Sequence, residues 1–184
     1  ADSNELPDIS SDDAAYIFFT SGSTGIPKGV LGRHQGLAHF LAWQRETFAV
    51  GPEDRVGQLT SLSFDVVLRD VFLPLSSGAT LCLPPKEEHP ASTNILRWID
   101  REQITLLHVV PTLVQAWLSV VLDDFTFRSV RCVFFAGEPL SDVLVTQFRR
   151  TFGNVEEIVN LYGPTETTMA KCFYRVPLNC SSGI

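Results

Sequence analysis

Two short stretches concentrate the side chains suited to holding a phosphorylated ligand. TSGSTGIPKG, residues 20–29, puts three glycines, four hydroxyls and one lysine into ten positions, straight after the apolar run Tyr16-Ile17-Phe18-Phe19. Gly22, Gly25 and Gly29 allow positive φ and close backbone approach, so N–H groups can converge on an anion. Thr20, Ser21, Ser23 and Thr24 add hydroxyl donors and Lys28 adds a point charge, a mixture matched to phosphate. The spacing is not that of the usual P-loop. Pro27 stands where GxxxxGK[ST] needs a glycine, and Gly29 where it needs Ser or Thr. Taken alone, the stretch is equally a flexible Ser/Gly turn. NLYGPTETT, residues 160–168, also follows an apolar run. Tyr162 could cover a flat base, Gly163-Pro164 makes a tight turn, and Thr165, Thr167 and Thr168 supply hydroxyls. Glu166 is the carboxylate a phosphate-bound Mg²⁺ would use, unless it is an ordinary surface glutamate.

Two further places follow or precede apolar runs. Ala136-Gly137-Glu138-Pro139 reads either as a helix approach or as a wall of the same site. Ser63-Phe64-Asp65 puts a carboxylate in an apolar setting before a helix, either as an N-cap or as a partner for a substrate ammonium.

The elements that must position these residues alternate. Strands are expected at Tyr16–Thr20, Arg55–Leu59, Thr80–Leu83, Leu106–Val110, Val130–Ala136 and Glu157–Leu161. Helices are expected at Gln35–Phe48, Val66–Leu75, Ile95–Glu102, Thr112–Val121 and Asp142–Phe152. In the first helix Leu37, Phe40, Leu41 and Phe48 share a face, with Gln44 between them. Cys132-Val133-Phe134-Phe135 is continuously apolar, as in a strand covered on both faces. Strand alternating with helix implies an α/β fold with a doubly wound, mostly parallel sheet. Such sheets bind ligands beyond the carboxyl ends of their strands. The Tyr16–Thr20 strand is expected to be buried in that sheet.

The totals narrow the function classes. The 184 residues suffice for one well-cored domain, with 45% hydrophobic and 19% charged residues. Fourteen Lys+Arg against 21 Asp+Glu give a net charge of −7, which argues against nucleic acid as a partner. The four cysteines, Cys82, Cys132, Cys172 and Cys180, show no CxxC spacing and read as reduced thiols of a cytoplasmic protein. No apolar stretch approaches the roughly 18 residues a membrane span needs. Residues 1–13 are polar and acidic, unlike a secretory signal. They read as a lead-in to a domain over residues 14–184.

YIFFTSGSTGIPKGV together with NLYGPTETT, with Phe64-Asp65 between them, resembles the adenylate-forming enzyme superfamily, and within it the adenylation domains of nonribosomal peptide synthetases. The resemblance covers nearly all of residues 14 to 175 and implies a flavodoxin-like or Rossmann-like subdomain. It also implies a reaction in which a carboxylate and ATP give an acyl-AMP and pyrophosphate, followed by transfer to a phosphopantetheine thiol on a carrier domain. Under that resemblance the 20–29 loop grips pyrophosphate, with Lys28 and its hydroxyls as donors. Thr165 meets the α-phosphate, Glu166 binds Mg²⁺, Tyr162 stacks on adenine, Asn160 lies at its edge, and Gly137, Glu138 and Pro139 wall the base. Asp65 would pair with the α-ammonium of an amino acid, which separates this class from acyl- or aryl-CoA ligases.

The side-chain pocket carried over residue by residue is Asp65, Val66, Arg69, His108, Phe134, Ala136, Leu161, Met169 and Ala170. Arg69, His108 and Phe134, with Gly29-Val30-Leu31-Gly32-Arg33-His34, look like the α-aminoadipate-activating reductases. Arg69 implies a polar or acidic substrate side chain, unless it faces an internal acid; Asp70 is its sequence neighbour. The family's ribose-binding aspartate and C-terminal lysine do not appear in these residues. The chain is therefore expected to be a central piece of such a domain, working beside neighbouring synthetase domains and poorly active alone. The rival readings are a CoA ligase, and a non-catalytic remnant that binds nucleotide or a partner domain.

Overall fold

The computed structural model describes residues 7–21, 25–86, 88–122 and 125–178. The first two strands, β1 (Ala14–Thr20) and β2 (Lys28–Arg33), form an antiparallel hairpin of their own, with Thr20 opposite Lys28 and Ile17 opposite Leu31. This corrects the expectation of a buried first strand. Alternation puts Ile17, Phe19 and Leu31 on one face, and they are 60%, 70% and 59% exposed. The Tyr16 ring lies across Gly32 on the partner strand, where an added Cβ would come within 1.9 Å of it. That close approach explains why a glycine interrupts β2.

The main sheet has six strands in the order β4-β3-β5-β6-β7-β8. They are β3 (Arg55–Gly57), β4 (Thr80–Cys82), β5 (Leu106–Val109), β6 (Cys132–Phe135), β7 (Glu157–Tyr162) and β8 (Cys172–Arg175), all parallel except β8. Helix α1 (His34–Thr47) leads from the hairpin into β3, and four helices connect the strands that follow: α2 (Val67–Ser77), α3 (Thr93–Arg101), α4 (Pro111–Val120) and α5 (Asp142–Thr151). Serine hydroxyls start two of them. Ser92 Oγ accepts from the Ile95 N–H, and Ser141 Oγ from the Leu144 N–H. Alternation along the strands divides the core in two. Leu107, Val109, Val133, Phe135 and Ile158 face α3, α4 and α5, while Val56, Leu106, Phe134, Val159 and Leu161 face α1 and α2. The sheet is thus doubly wound, and all four residues of β6 are buried. Cys82 and Cys132 are buried free thiols and Cys172 is an exposed one; Cys180 lies outside the described residues. Among the described residues no helix is long and apolar enough to cross a membrane.

The amino ends of the strands are clamped by charge. Arg131, entering β6, gives Nε and Nη2 to the two oxygens of Asp54 at 2.8 and 2.9 Å, while the Thr105 hydroxyl and the Gly51 N–H donate to the same carboxylate. Burial alone would raise the Asp54 pKa, but the hydrogen bonds from Arg131, Thr105 and Gly51 outweigh it and hold the carboxyl below its ordinary range. The stability this brings is fully present above the ordinary carboxyl pKa and is lost as pH falls through the depressed one. Asp54→Asn should cost about 1–2 kcal/mol in urea denaturation at pH 7. The gap to wild type should close under strongly acidic conditions.

Candidate functional site

At the opposite, carboxyl end of the sheet lies a cavity of about 450 Å³. It opens where strand order reverses, between β3 and β5, the position at which open α/β sheets hold ligands. Each neighbouring strand delivers part of its wall. The segment after β3 brings Asp65, Val66 and Arg69, and β5 brings His108. Ala136, Gly137 and Glu138 follow β6, while Leu161, Gly163, Thr165 and Met169 come from β7 and the turn beyond it. Residues from four separate stretches of sequence therefore meet in one place.

The others sit nearby in different settings. Phe134 lies behind the wall, stacked on His108 with ring centres 4.6 Å apart. Ala170 lines a second cavity of about 350 Å³ with His39 and Trp43 of α1, not the first. Tyr162, Pro139 and Glu166 are exposed, and Asn160 is half-buried on β7. Thr20, Ser21, Gly25 and Lys28 lie at the loop end of the hairpin, with Lys28 opposite Thr20 and Gly25 at φ +79°. Gly22, Ser23 and Thr24 fall outside the described residues. Strand β2 touches the 3-10 turn Thr165–Thr167, which brings the lysine's strand against the turn that carries Thr165 and Glu166.

Three carboxylates, two in the cavity wall and one behind it, differ in state. Glu138 is already engaged, because its oxygens accept from the Thr112 N–H at 2.9 Å and the Thr112 hydroxyl at 2.8 Å at the start of α4. This ties the segment containing Gly137, at φ +83°, to that helix. Asp65 is 8% exposed and does not cap α2, whose N-cap is Val66. The Val66 N–H and the Thr165 hydroxyl stand near its carboxylate, while Oδ2 is buried without a partner among the described residues. Burial raises its pKa above the ordinary value despite those nearby donors and the Arg69 charge.

Asp70, fully buried, is the third. Its Oδ1 accepts from Arg69 Nε at 3.1 Å and Nη2 at 3.0 Å, and lies 3.3 Å from His108 Nδ1. Gln44 Nε2 sits 2.8 Å from His108 Nε2. With the amide donating, the imidazole carries its proton on Nδ1, facing Asp70. Burial, together with the Arg69 charge, pushes the His108 pKa well below its ordinary value, so the ring is neutral. Asp70 and Gln44 were not among the residues the sequence put in the site. Gln44 had one signal, a polar side chain on the apolar face of its helix.

Mg²⁺ takes one or two protein carboxylates and completes its shell with phosphate oxygens and water. The exposed Glu166 offers one carboxylate, and among the described residues no group of three or more His, Cys, Asp or Glu gathers to hold a metal unaided. That donor set fits an ion shared with nucleotide phosphates.

Comparison with known proteins adds the context. Residues 1–182 match the family model described as AMP-binding enzyme. Tyrocidine synthase 3 of Brevibacillus parabrevis is 39% identical over 180 residues, which is 96% of this chain and 3% of that protein. The L-2-aminoadipate reductase large subunit of Eremothecium gossypii is 34% identical over 176 residues, 95% of this chain and 12% of that protein. The crystal structure of the Vibrio cholerae adenylation domain AlmE, in complex with glycyl-adenosine-5'-phosphate, superposes with a TM-score of 0.82 at 32% identity. The match covers 95% of this chain and 32% of that one. The chain thus spans a small part of these curated relatives. With a cavity at the strand reversal and a family match over almost its whole length, the chain belongs to the AMP-binding enzyme family.

Proposed function

We propose that the chain serves the ATP-dependent activation of an amino acid with a polar or acidic side chain, giving an aminoacyl-AMP for loading onto the phosphopantetheine thiol of a carrier domain. The observation that carries this is Asp65. A buried carboxylate with one free oxygen is costly unless a cation completes it. An α-ammonium is a cation of the right size at the mouth of a side-chain pocket. The AlmE complex with an aminoacyl adenylate supports the same reading. The likeness to aminoadipate reductases, and Arg69 at the cavity wall, support a polar or acidic side chain.

In this reading Asp65 Oδ2 holds the ammonium, and the Thr165 hydroxyl, on the same cavity wall, lies beside the reacting carboxyl group and the α-phosphate. Lys28 and the hydroxyls of Thr20, Ser21, Ser23 and Thr24 hold pyrophosphate as it leaves. Glu166 holds Mg²⁺, which would neutralise charge on the phosphate oxygens. Tyr162 and Asn160 take the adenine, with the Gly137-Glu138-Pro139 segment as its wall and Gly163 giving the backbone room to turn beneath it. Val66, Arg69, His108, Ala136, Leu161 and Met169 shape the side-chain pocket and Phe134 backs it, while Ala170, turned to the second cavity, is left out.

ATP–pyrophosphate exchange on the full polypeptide that carries this chain tests the proposal. Aspartate, glutamate, aminoadipate, asparagine, glutamine or serine should stimulate exchange at least about tenfold over leucine or phenylalanine. Stimulation by large apolar amino acids alone would remove the role given to Arg69. Stimulation by fatty or aryl acids alone would leave a CoA ligase.

A further inference from the structure

The buried series Gln44–His108–Asp70–Arg69 is more polar than the fold requires. It draws on α1, β5 and α2, and apolar residues of similar volume would fill the same space at no loss of stability. It is also incompletely satisfied, since Gln44 Oε1 has no partner among the described residues. A polar series of this kind is expected where its end does something, and its end is Arg69 in the cavity wall. Asp70 takes both Nε and Nη2 of the guanidinium, leaving Nη1 without a hydrogen bond among the described residues. Arg69 therefore meets the cavity as a directed donor whose charge is countered from behind.

We infer that Asp70, through its grip on Arg69, is a positioning residue that sets the pocket's choice between amino acids with carboxylate and with amide side chains. The inference rests on reading the cavity as an amino-acid site. A substrate carboxylate gains the Nη1 bond but is repelled by the Asp70 charge immediately behind it. An amide oxygen accepts from the same Nη1 without that repulsion. On the other side His108 Nδ1 stands 3.3 Å from Asp70 Oδ1, and Gln44 Nε2 holds the imidazole by its Nε2. At close range inside a protein, removing one such charge alters the interaction of a second by more than tenfold in binding.

Asp70→Asn removes the charge and keeps an oxygen for Arg69. Exchange kinetics on the full polypeptide with aspartate against asparagine, and glutamate against glutamine, read the result. The acid-to-amide ratio of kcat/KM should rise at least about tenfold, through KM for the acid more than through kcat. Should that variant fold poorly, Arg69→Met with Asp70→Leu removes the ion pair as a unit, a change buried pairs tolerate. It should erase the acid-to-amide difference and favour leucine and methionine. An unchanged ratio in Asp70→Asn, with both substrates losing equally, overturns the inference. So does a double variant that keeps the wild-type order of side chains. A wild-type protein that exchanges with no amino acid overturns this inference and the activation reading together; normal exchange with an unchanged ratio overturns this one alone.

Discussion

Asp65→Asn is expected to lower amino-acid-dependent ATP–pyrophosphate exchange by about 100-fold or more while leaving the fold as stable as before, or more so. Truncating one partner of a buried, hydrogen-bonded charge pair costs about 2–5 kcal/mol of binding, and asparagine offers the α-ammonium no charge. The stability change runs the other way. Burial raises the folded-state pKa of Asp65, so the folded form favours the protonated group. The associated stability is present below the unfolded carboxyl pKa and is lost as pH rises through the raised one. At pH 7 the ionised carboxylate carries that cost, and asparagine, of the same shape and without the charge, removes it. A purely structural carboxylate would lose stability and activity together. The decisive control is the same acid without its α-amino group. Wild type should reject it, and Asp65→Asn should narrow the gap between the two acids. Equal exchange with both acids in wild type would show that Asp65 does not read the ammonium.

Gly163→Val should destabilise the protein by about 3 kcal/mol or more, with Gly163→Ala intermediate, as read by thermal or urea unfolding. A Cβ at Gly163 would stand 2.5 Å from Ala170 Cα and 2.8 Å from the Lys171 nitrogen. Both are backbone atoms, and neither can rotate aside. The crossing is pinned by the Lys171 N–H donating to Tyr162 O at 2.8 Å. Between these points the chain carries Thr168 and Met169 at φ 63° and 65°, a conformation non-glycine residues keep only when the surroundings enforce it. Any side chain at Gly163 would open the crossing, release that turn and shift Met169 and Thr165, both of which line the cavity. A Gly163→Val protein that melts with wild type would show that the two strands of the crossing part easily.

The alternation of α and β elements was legible because the apolar runs are short, separate and differently spaced. Cys132-Val133-Phe134-Phe135 identified a doubly covered strand, and β6 is one. Strand β2 was hidden. Its residues, KGVLGR, include two glycines and two charges, so it shows no apolar run, and only pairing with β1 makes it a strand. The same pairing exposes Ile17 and Phe19, whose hydrophobicity had pointed to burial. At the site, Asp65 and Thr165 were recognisable by type and by position near the ends of apolar runs, whereas Arg69 and His108 came from the family resemblance alone. The Arg69–Asp70 pair entered only as the alternative to a substrate-facing arginine, and it is the contact Arg69 makes. Adjacent residues on a helix point in different directions, so a contact between them depends on rotamers that only the packed interior selects. Nor could spacing separate Met169 from Ala170, because the left-handed turn sends one to each cavity.

The sheet also partitions change. The polar series behind Arg69 lies wholly on the α1/α2 side, while Trp117, Phe127, Phe148 and Phe152 fill the α3/α4/α5 side. Substitutions that retune the side-chain pocket therefore fall on one hydrophobic cluster, and the other keeps the strands in register while they accumulate. A lineage could exchange its substrate in small steps on one face without renegotiating the scaffold on the other, which makes this architecture easy to diversify.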